Sequence, residues 1–377
     1  MEMKKDSVRR IFIMTTYNCN LHCSYCYEPV KVNTFMDVEK ICAALTNEFT
    51  RLKQFDSFRL TFHGGEPFLY FDRIKEVCEW AWNTYPNLDI TADAPTNGTV
   101  LNEEIKQWLR LNSWRFEVSV SVDGDKETHN FSRGDSYERI DWAFFLSLPG
   151  IKAKMTVVPE MIGKMMENYL FLKEKGMRVA PSLAKGANWD RTKHLSEYAA
   201  QLKLFIDYLL DNPEENLPPL LAYNISKLAR RNQGRSMHNC GVGYNEVAYD
   251  IKGKYYPCHA FITDFGKEID DNELKAIVHR IETSSQNELV PKCSTCLFSS
   301  VCGPCYGLNY TQRGGIANID ESFCPFVQVS ILATANLYAR ALVSDEKYVW
   351  LKERTPQDVL DIIEAIKILN TTSHVQL

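Results

Sequence analysis

Apolar residues fall in short, evenly spaced runs over the first two hundred positions. The runs at 9–15, 57–63, 87–93, 115–122, 151–158 and 177–182 are rich in Val, Ile, Phe and Thr. Several are nearly continuous, which predicts parallel strands covered on both faces. Between them, helix-period patterns cover 37–53, 71–84, 102–111, 137–147, 164–175 and 195–210. Asp37 and Asn102 stand where N-caps belong, and Gly176 stands at a C-cap position. Six strand–helix units predict an α/β fold with a parallel sheet: a complete or partial barrel, or an open doubly wound sheet. The rhythm breaks at 212–219, which is rich in Pro and Glu. A short linker helix is expected over 220–231. After Gly234 the chain turns to Gly, Tyr and Cys with short strands, and helices follow over 327–342 and 355–369. The expected organisation is therefore residues 1–215, a linker at 216–235, and a cysteine-rich part at 236–377, with no internal repeat.

The length of 377 residues, 45% of them hydrophobic, suffices for two or three domains. A net charge of −5 gives no basic field for nucleic acid or an anionic membrane. No apolar run approaches the roughly 20 residues of a membrane span, and residues 1–10 lack the apolar core of a signal peptide. A cytoplasmic protein is expected. There the twelve cysteines stay reduced, and their spacing reads as metal or cluster ligation rather than disulfides. Three lie within 19–26 and seven within 240–324, while Cys42 and Cys78 sit in helical patterns and read as core residues.

Cys19, Cys23 and Cys26 follow directly on the first strand, at its C-terminal end, which is the active face of a barrel. Three thiolates this close can hold one face of a four-iron cubane and leave one iron open to a small molecule. A zinc knuckle completed by His22 is the alternative, but no second cysteine pair follows at the usual distance. The spacing C-x3-C-x2-C, with Tyr25 just before the last cysteine, resembles the signature of the radical S-adenosylmethionine (SAM) superfamily. That resemblance implies a partial (β/α)6 TIM-like barrel. It also implies a [4Fe–4S] cluster whose open iron binds the amino and carboxylate groups of SAM. One electron then splits the sulfonium, and the 5′-deoxyadenosyl radical takes a hydrogen atom from substrate.

Further segments match that family in order. His63-Gly64-Gly65-Glu66-Pro67 resembles its GGEP motif, with Gly64 and Gly65 allowing close backbone approach and Glu66 able to accept from the SAM ammonium. Thr96-Asn97-Gly98-Thr99 resembles its TNG turn. Ser119-Val120-Ser121-Val122-Asp123-Gly124 resembles its S-x-D-G segment. By the resemblance, Ser121 and Arg133 hold the SAM carboxylate and Asp123 lies near the ribose.

Downstream, Cys240, Gly253 and Cys258 are followed by Cys293-x2-Cys296-x5-Cys302-x2-Cys305 and Cys324. This resembles the SPASM extension of radical SAM enzymes, which holds two auxiliary [4Fe–4S] clusters, for three clusters in all. The family spaces its fifth and sixth cysteines by three residues, and this chain has two. Its connectivity implies Cys240, Cys258 and Cys305 for the first auxiliary cluster, and Cys293, Cys296, Cys302 and Cys324 for the second. Two cubanes need eight ligands and seven cysteines are present. Either one iron is open or a residue other than cysteine fills the gap. Fully ligated relatives carry an extra cysteine soon after the first, and residues 241–249 have none here. One or two zinc sites are the alternative.

SPASM enzymes of clearest role modify peptides or proteins. The anaerobic sulfatase maturases carry an Asp base after the second SPASM cysteine, where this chain has His259, a candidate base or a structural residue. The other branch crosslinks or oxidises ribosomally made peptides. Its members often carry a leader-recognition domain ahead of the cluster motif, and 18 residues precede Cys19, so a separate recognition protein, or recognition by the barrel mouth, is expected. An external flavodoxin- or ferredoxin-like electron donor is also implied. The expected function is peptide maturation. Sulfatase maturation is the alternative, and an iron–sulfur electron carrier or zinc protein is the non-enzyme alternative.

Overall fold

The computed structural model describes residues 8–28, 30–51, 55–230, 239–352 and 354–372. Six parallel strands, β1 (Val8–Thr16), β2 (Ser57–Gly64), β3 (Asp89–Thr96), β4 (Phe116–Ser121), β5 (Lys152–Val157) and β6 (Arg178–Leu183), form a partial (β/α)6 barrel. Two further strands, β7 (Glu246–Tyr249) and β8 (Tyr255–Tyr256), extend the same sheet, giving the order β6-β5-β4-β3-β2-β1-β7-β8. β7 runs parallel to β1, and β8 returns antiparallel to β7. Helices α1 (Val38–Arg51), α2 (Phe71–Thr84), α3 (Glu103–Asn112), α4 (Lys126–Arg133), α5 (Trp142–Ser147), α6 (Met165–Glu174) and α7 (Arg191–Asp211) alternate with the strands.

The strands are not apolar on both faces. Ile11, Ile13, Leu60, Phe62, Val118, Val120, Ala153 and Met155 are buried and belong to the main core, together with residues of the surrounding helices. The alternate positions carry Arg10, Arg59, Glu117, Lys152 and Lys154. Because successive side chains point to opposite faces, these polar residues share the inner face of the barrel. Three cations, Arg59, Lys152 and Arg178, surround the Glu117 carboxylate there.

The expected caps at Asp37 and Asn102 are present: their carboxylate and amide oxygens accept from Lys40 N and Ile105 N at 3.2 and 2.8 Å. Gly176 takes φ +84 just past α6. Of the two lone cysteines, Cys78 is fully buried in the core and Cys42 packs half-buried against it. Three expectations need correction. The helix expected over 137–147 is a 3-10 turn, Tyr137–Arg139, followed by α5, because Asp141 caps a new start by accepting from Phe144 N at 3.0 Å. The helix expected over 220–231 is two 3-10 turns, Pro219–Leu221 and Ile225–Leu228; Pro218 and Pro219 supply no N–H for continuous helical bonding. Its last residue, 231–235 of the expected linker and 236–238 of the expected cysteine-rich part lie outside the described residues. The third is α4, which the periodicity did not reveal.

The C-terminal part adds α8 (Asp271–Thr283), α9 (Gln286–Leu289), α10 (Tyr306–Arg313), α11 (Cys324–Leu342), α12 (Val349–Lys352) and α13 (Pro356–Thr372). We propose the division near residue 215 as a change of packing partner. Leu220 and Leu221 join the barrel core, whereas Ile225 and Leu228 join a separate cluster with Ile331, Tyr338 and Ile362. The two parts are stitched together at β7, where Tyr249 Oη donates to Glu48 Oε1 at 2.7 Å and Glu48 Oε2 accepts from Arg9 at 2.9 Å.

Candidate active site

The residues after β1 form a loop held from three sides. From β2, Gly65 N–H donates to Thr16 O at 2.9 Å and Glu66 N–H to Asn18 O at 2.8 Å. From the β3 turn, Asn97 Nδ2 donates to Asn20 Oδ1 at 2.9 Å, and Asn20 Nδ2 donates to Thr99 Oγ1 at 2.8 Å. From α4, Ser132 O accepts from Ser24 N at 2.9 Å. Each of the motifs singled out in sequence therefore touches, directly or through one residue, the loop that carries Cys19, Cys23 and Cys26.

The two glycines of the GGEP segment serve this docking. A Cβ on Gly64, whose φ is +137, would lie 2.2 Å from Thr16 O, and one on Gly65 would lie 2.1 Å from Asn18 O and 3.1 Å from Cys19 Cβ. Both obstacles are backbone, so nothing can yield cheaply. A Gly65→Ala variant should therefore lift the loop and lose the N-terminal iron. Iron analysis of the reconstituted chain should show less iron than the wild type holds.

Glu66 is buried, and its carboxylate collects three donors: Phe68 N and Thr96 Oγ1 at Oε1 (3.0 and 2.8 Å), and Asn97 N at Oε2 (2.7 Å). Burial pushes its carboxyl up to about 7, against the pull of these hydrogen bonds. Asp123 is fully enclosed. Its carboxylate accepts from Arg133 Nε and Nη2 (2.8 and 3.1 Å), Tyr25 Oη (2.9 Å) and Thr156 N (2.8 Å). Arg133 also lies 5.2 Å from the centre of the Tyr25 ring. Ser121 ends β4 beside Lys154 of β5. Burial pushes the Cys19 and Cys23 thiols up, and Arg133 pulls Cys23 back. Lys31 Nζ stands 3.2 Å from Cys26 Sγ. His22, the residue a zinc knuckle would need, is exposed.

Arg133 owes its place to α4. Asp125 caps the helix by accepting from Thr128 N at 2.8 Å, and Gly134 ends it in the left-handed conformation at φ +60. The bracket Asp125…Gly134 was the available signal for this helix. Asn20, Lys31 and Thr156 were not singled out in sequence; only the spatial neighbours of the cysteine loop and of Asp123 identify them.

The downstream cysteines gather in two places. Cys240, Cys258 and Cys305 line a cavity of about 350 Å³, whose opposite wall carries Tyr25, Thr156 and Ser182 of the barrel. Cys293, Cys302 and Cys324 line a second cavity of about 210 Å³, which Cys305 also borders. After burial, the strongest influences on Cys302 are Cys324, Cys293 and Cys296, and together they push its thiol up to about 12. His259 lines the first cavity, with its ring 4.3 Å from Phe12 and 5.3 Å from His63. Its buried Nδ1 has no hydrogen-bond partner among the described residues. Burial, then Lys154, Lys185 and Arg10, push the imidazole down to about 4, so it is neutral at neutral pH and a weak proton acceptor. Among the described residues, no helix is long and apolar enough to cross a membrane.

Residues 13–161 match the Radical SAM superfamily. Over 323 residues the chain is 24% identical to the cysteine-type anaerobic sulfatase-maturating enzyme of Clostridium perfringens, covering 75% of this chain and 84% of that one. It is 24% identical over 324 residues to the antilisterial bacteriocin subtilosin biosynthesis protein AlbA of Bacillus subtilis, covering 78% and 66%. It also matches 40% of the length of an uncharacterised protein of Methanocaldococcus jannaschii, at 31% identity over 120 residues. In fold it is similar to native anSMEcpe with bound AdoMet, with a TM-score of 0.66 at 18% identity over 89% of this chain and 100% of that one. It is also similar to Streptococcus suis SuiB bound to its precursor peptide SuiA, with a TM-score of 0.56 at 16% identity over 84% and 76%. Residues 13–161, which include the end of β1 and the loop of Cys19, Cys23 and Cys26, thus form a Radical SAM domain.

Proposed function

We propose that this enzyme removes a hydrogen atom from a side chain of a ribosomally made peptide or a protein, leaving a crosslink or an oxidised residue. The observation that carries the reading is the first cavity, with the SAM-side residues Tyr25 and Thr156 on one wall and Cys240, Cys258 and Cys305 on the other. A side chain entering it meets both Tyr25, the residue before Cys26, and the three downstream cysteines. When bound, SAM and the reduced N-terminal cluster supply a 5′-deoxyadenosyl radical.

The protein's own groups fit those guests. Cys19, Cys23 and Cys26 are sulfur donors on one docked loop and would hold the SAM-binding cluster. Oε2 of Glu66 receives one hydrogen bond, from Asn97, and keeps a lone pair for an ammonium. Arg133 and Ser121 would hold the carboxylate. Asp123 has its oxygens occupied by Arg133, Tyr25 and Thr156, so its task is to aim Arg133 rather than to bind ribose. Cys240, Cys258 and Cys305, and separately Cys293, Cys296, Cys302 and Cys324, would hold the two auxiliary clusters. The reaction needs an external one-electron donor of the flavodoxin or ferredoxin type.

Formylglycine formation on a sulfatase is the second reading, favoured by the length of the match to the C. perfringens enzyme. His259 stands where that branch carries an Asp, and its depressed basicity weighs against a base there. The deciding experiment reconstitutes the chain anaerobically, reduces it with SAM and measures 5′-deoxyadenosine and iron. Nucleoside and about 12 iron atoms per chain are expected. No nucleoside from an intact, reducible cluster overturns the reading. Mass spectrometry with a sulfatase-derived Cys peptide against a genome-neighbouring precursor then separates the two substrates.

A further inference from the structure

This inference rests on the proposed auxiliary cluster at Cys240, Cys258 and Cys305. Three thiolates leave one iron of a four-iron cubane without a protein ligand. Glu246 lines the same cavity as those three cysteines. A tight loop puts it there. Glu246 N–H donates to Gly241 O at 2.8 Å, and Gly243 N–H donates to Glu246 O at 3.0 Å. The loop folds the glutamate stem back onto the residue that follows Cys240: a Cβ built on Gly241 would come within 2.9 Å of Glu246 Cγ. Register does the rest. Glu246 opens β7 directly opposite Arg10 of β1, and Arg10 Nη1 holds one carboxylate oxygen, Oε1, at 2.9 Å.

The charge arrangement asks for a metal. A carboxylate beside cysteines that must ionise is repulsive, and Arg10 neutralises it from one side only. An iron between carboxylate and thiolates turns that repulsion into ligation. His259 lines the same cavity, and its ring packs on Phe12 and His63.

We propose that the Glu246 carboxylate is the fourth protein ligand of the cluster held by Cys240, Cys258 and Cys305, through the oxygen that Arg10 leaves. The cluster is then closed, and its part in turnover is to pass electrons rather than to bind substrate at iron. The test uses the full-length chain with Cys19, Cys23 and Cys26 changed to Ala, so that only auxiliary iron remains. Iron is counted, and the EPR spectrum of the reduced protein is taken with and without excess potassium cyanide. About eight irons per chain and a spectrum unmoved by cyanide are expected. Adding Glu246→Gln should create a cyanide-dependent signal or release about four irons, and Glu246→Cys should restore both the iron and the insensitivity. A cyanide response while Glu246 is present overturns the assignment, as does a Glu246→Gln chain that keeps its iron and stays unresponsive. Iron near four or below before Glu246 is touched instead removes the underlying auxiliary-cluster reading.

Discussion

Changing Cys19, Cys23 and Cys26 together to Ala should abolish SAM cleavage and, on the proposed three-cluster reading, lower iron from about twelve to about eight per chain. Both effects follow from how separately the sites are built. The three cysteines sit on one loop, docked by backbone bonds to residues 65 and 66 and by the Asn20–Asn97 amide pair. None of the seven downstream cysteines shares that support. Burial pushes the Cys19 and Cys23 thiols up, while Lys31 and Arg133 favour the thiolates that cluster ligation requires. Measuring 5′-deoxyadenosine alongside iron separates the possibilities. Residual nucleoside would mean that another cluster cleaves SAM. A loss of all iron would mean that the sites are not independent.

The second large effect concerns the Asp123–Arg133 pair, whose side chains are 0% and 8% exposed. Arg133→Met strands a buried carboxylate, and removing one partner of a buried pair costs about 3–5 kcal/mol. The double variant Arg133→Met/Asp123→Asn should recover most of that loss. The Asn carbonyl can still accept from Thr156 N, and its amide can donate to Tyr25. SAM affinity should not recover: losing a charged hydrogen bond to the carboxylate costs about 1.5–3 kcal/mol, roughly a 10- to 100-fold weaker Kd. Urea unfolding and SAM titration on the same three proteins test the two halves independently. If the double variant binds SAM as wild type does, Arg133 has only a structural task.

Much of the barrel was legible because its signals are local. Continuous apolar strands and capped helices recur at regular intervals, and the caps at Asp37 and Asn102 form as their residue types dictate. β3 extends to Thr96, beyond the expected end at 93, because Ala92 and Ala94 are small and Pro95 argues against a strand until its edges are seen. The inner face misled for a different reason. Arg59, Glu117, Lys152 and Arg178 neutralise one another across four strands, a pairing invisible along the chain. The cysteine sets were readable from spacing, whereas Asn20 and Thr156 matter through contacts 77 and 33 residues away along the chain. Glu246 is the same case: a lone glutamate in sequence, and a neighbour of three cysteines in space.

The pairing of β1 with β7 sets a schedule for synthesis. β1 emerges first from the ribosome, yet one of its edges waits for residues 246–249. At roughly 5–20 residues per second, that wait is on the order of ten to fifty seconds. During it, an apolar first strand offers unpaired backbone groups to any passing strand. Expression of the barrel alone would make that exposure permanent, so aggregation of a chain stopped before β7 would reflect an unfilled edge rather than a defective barrel.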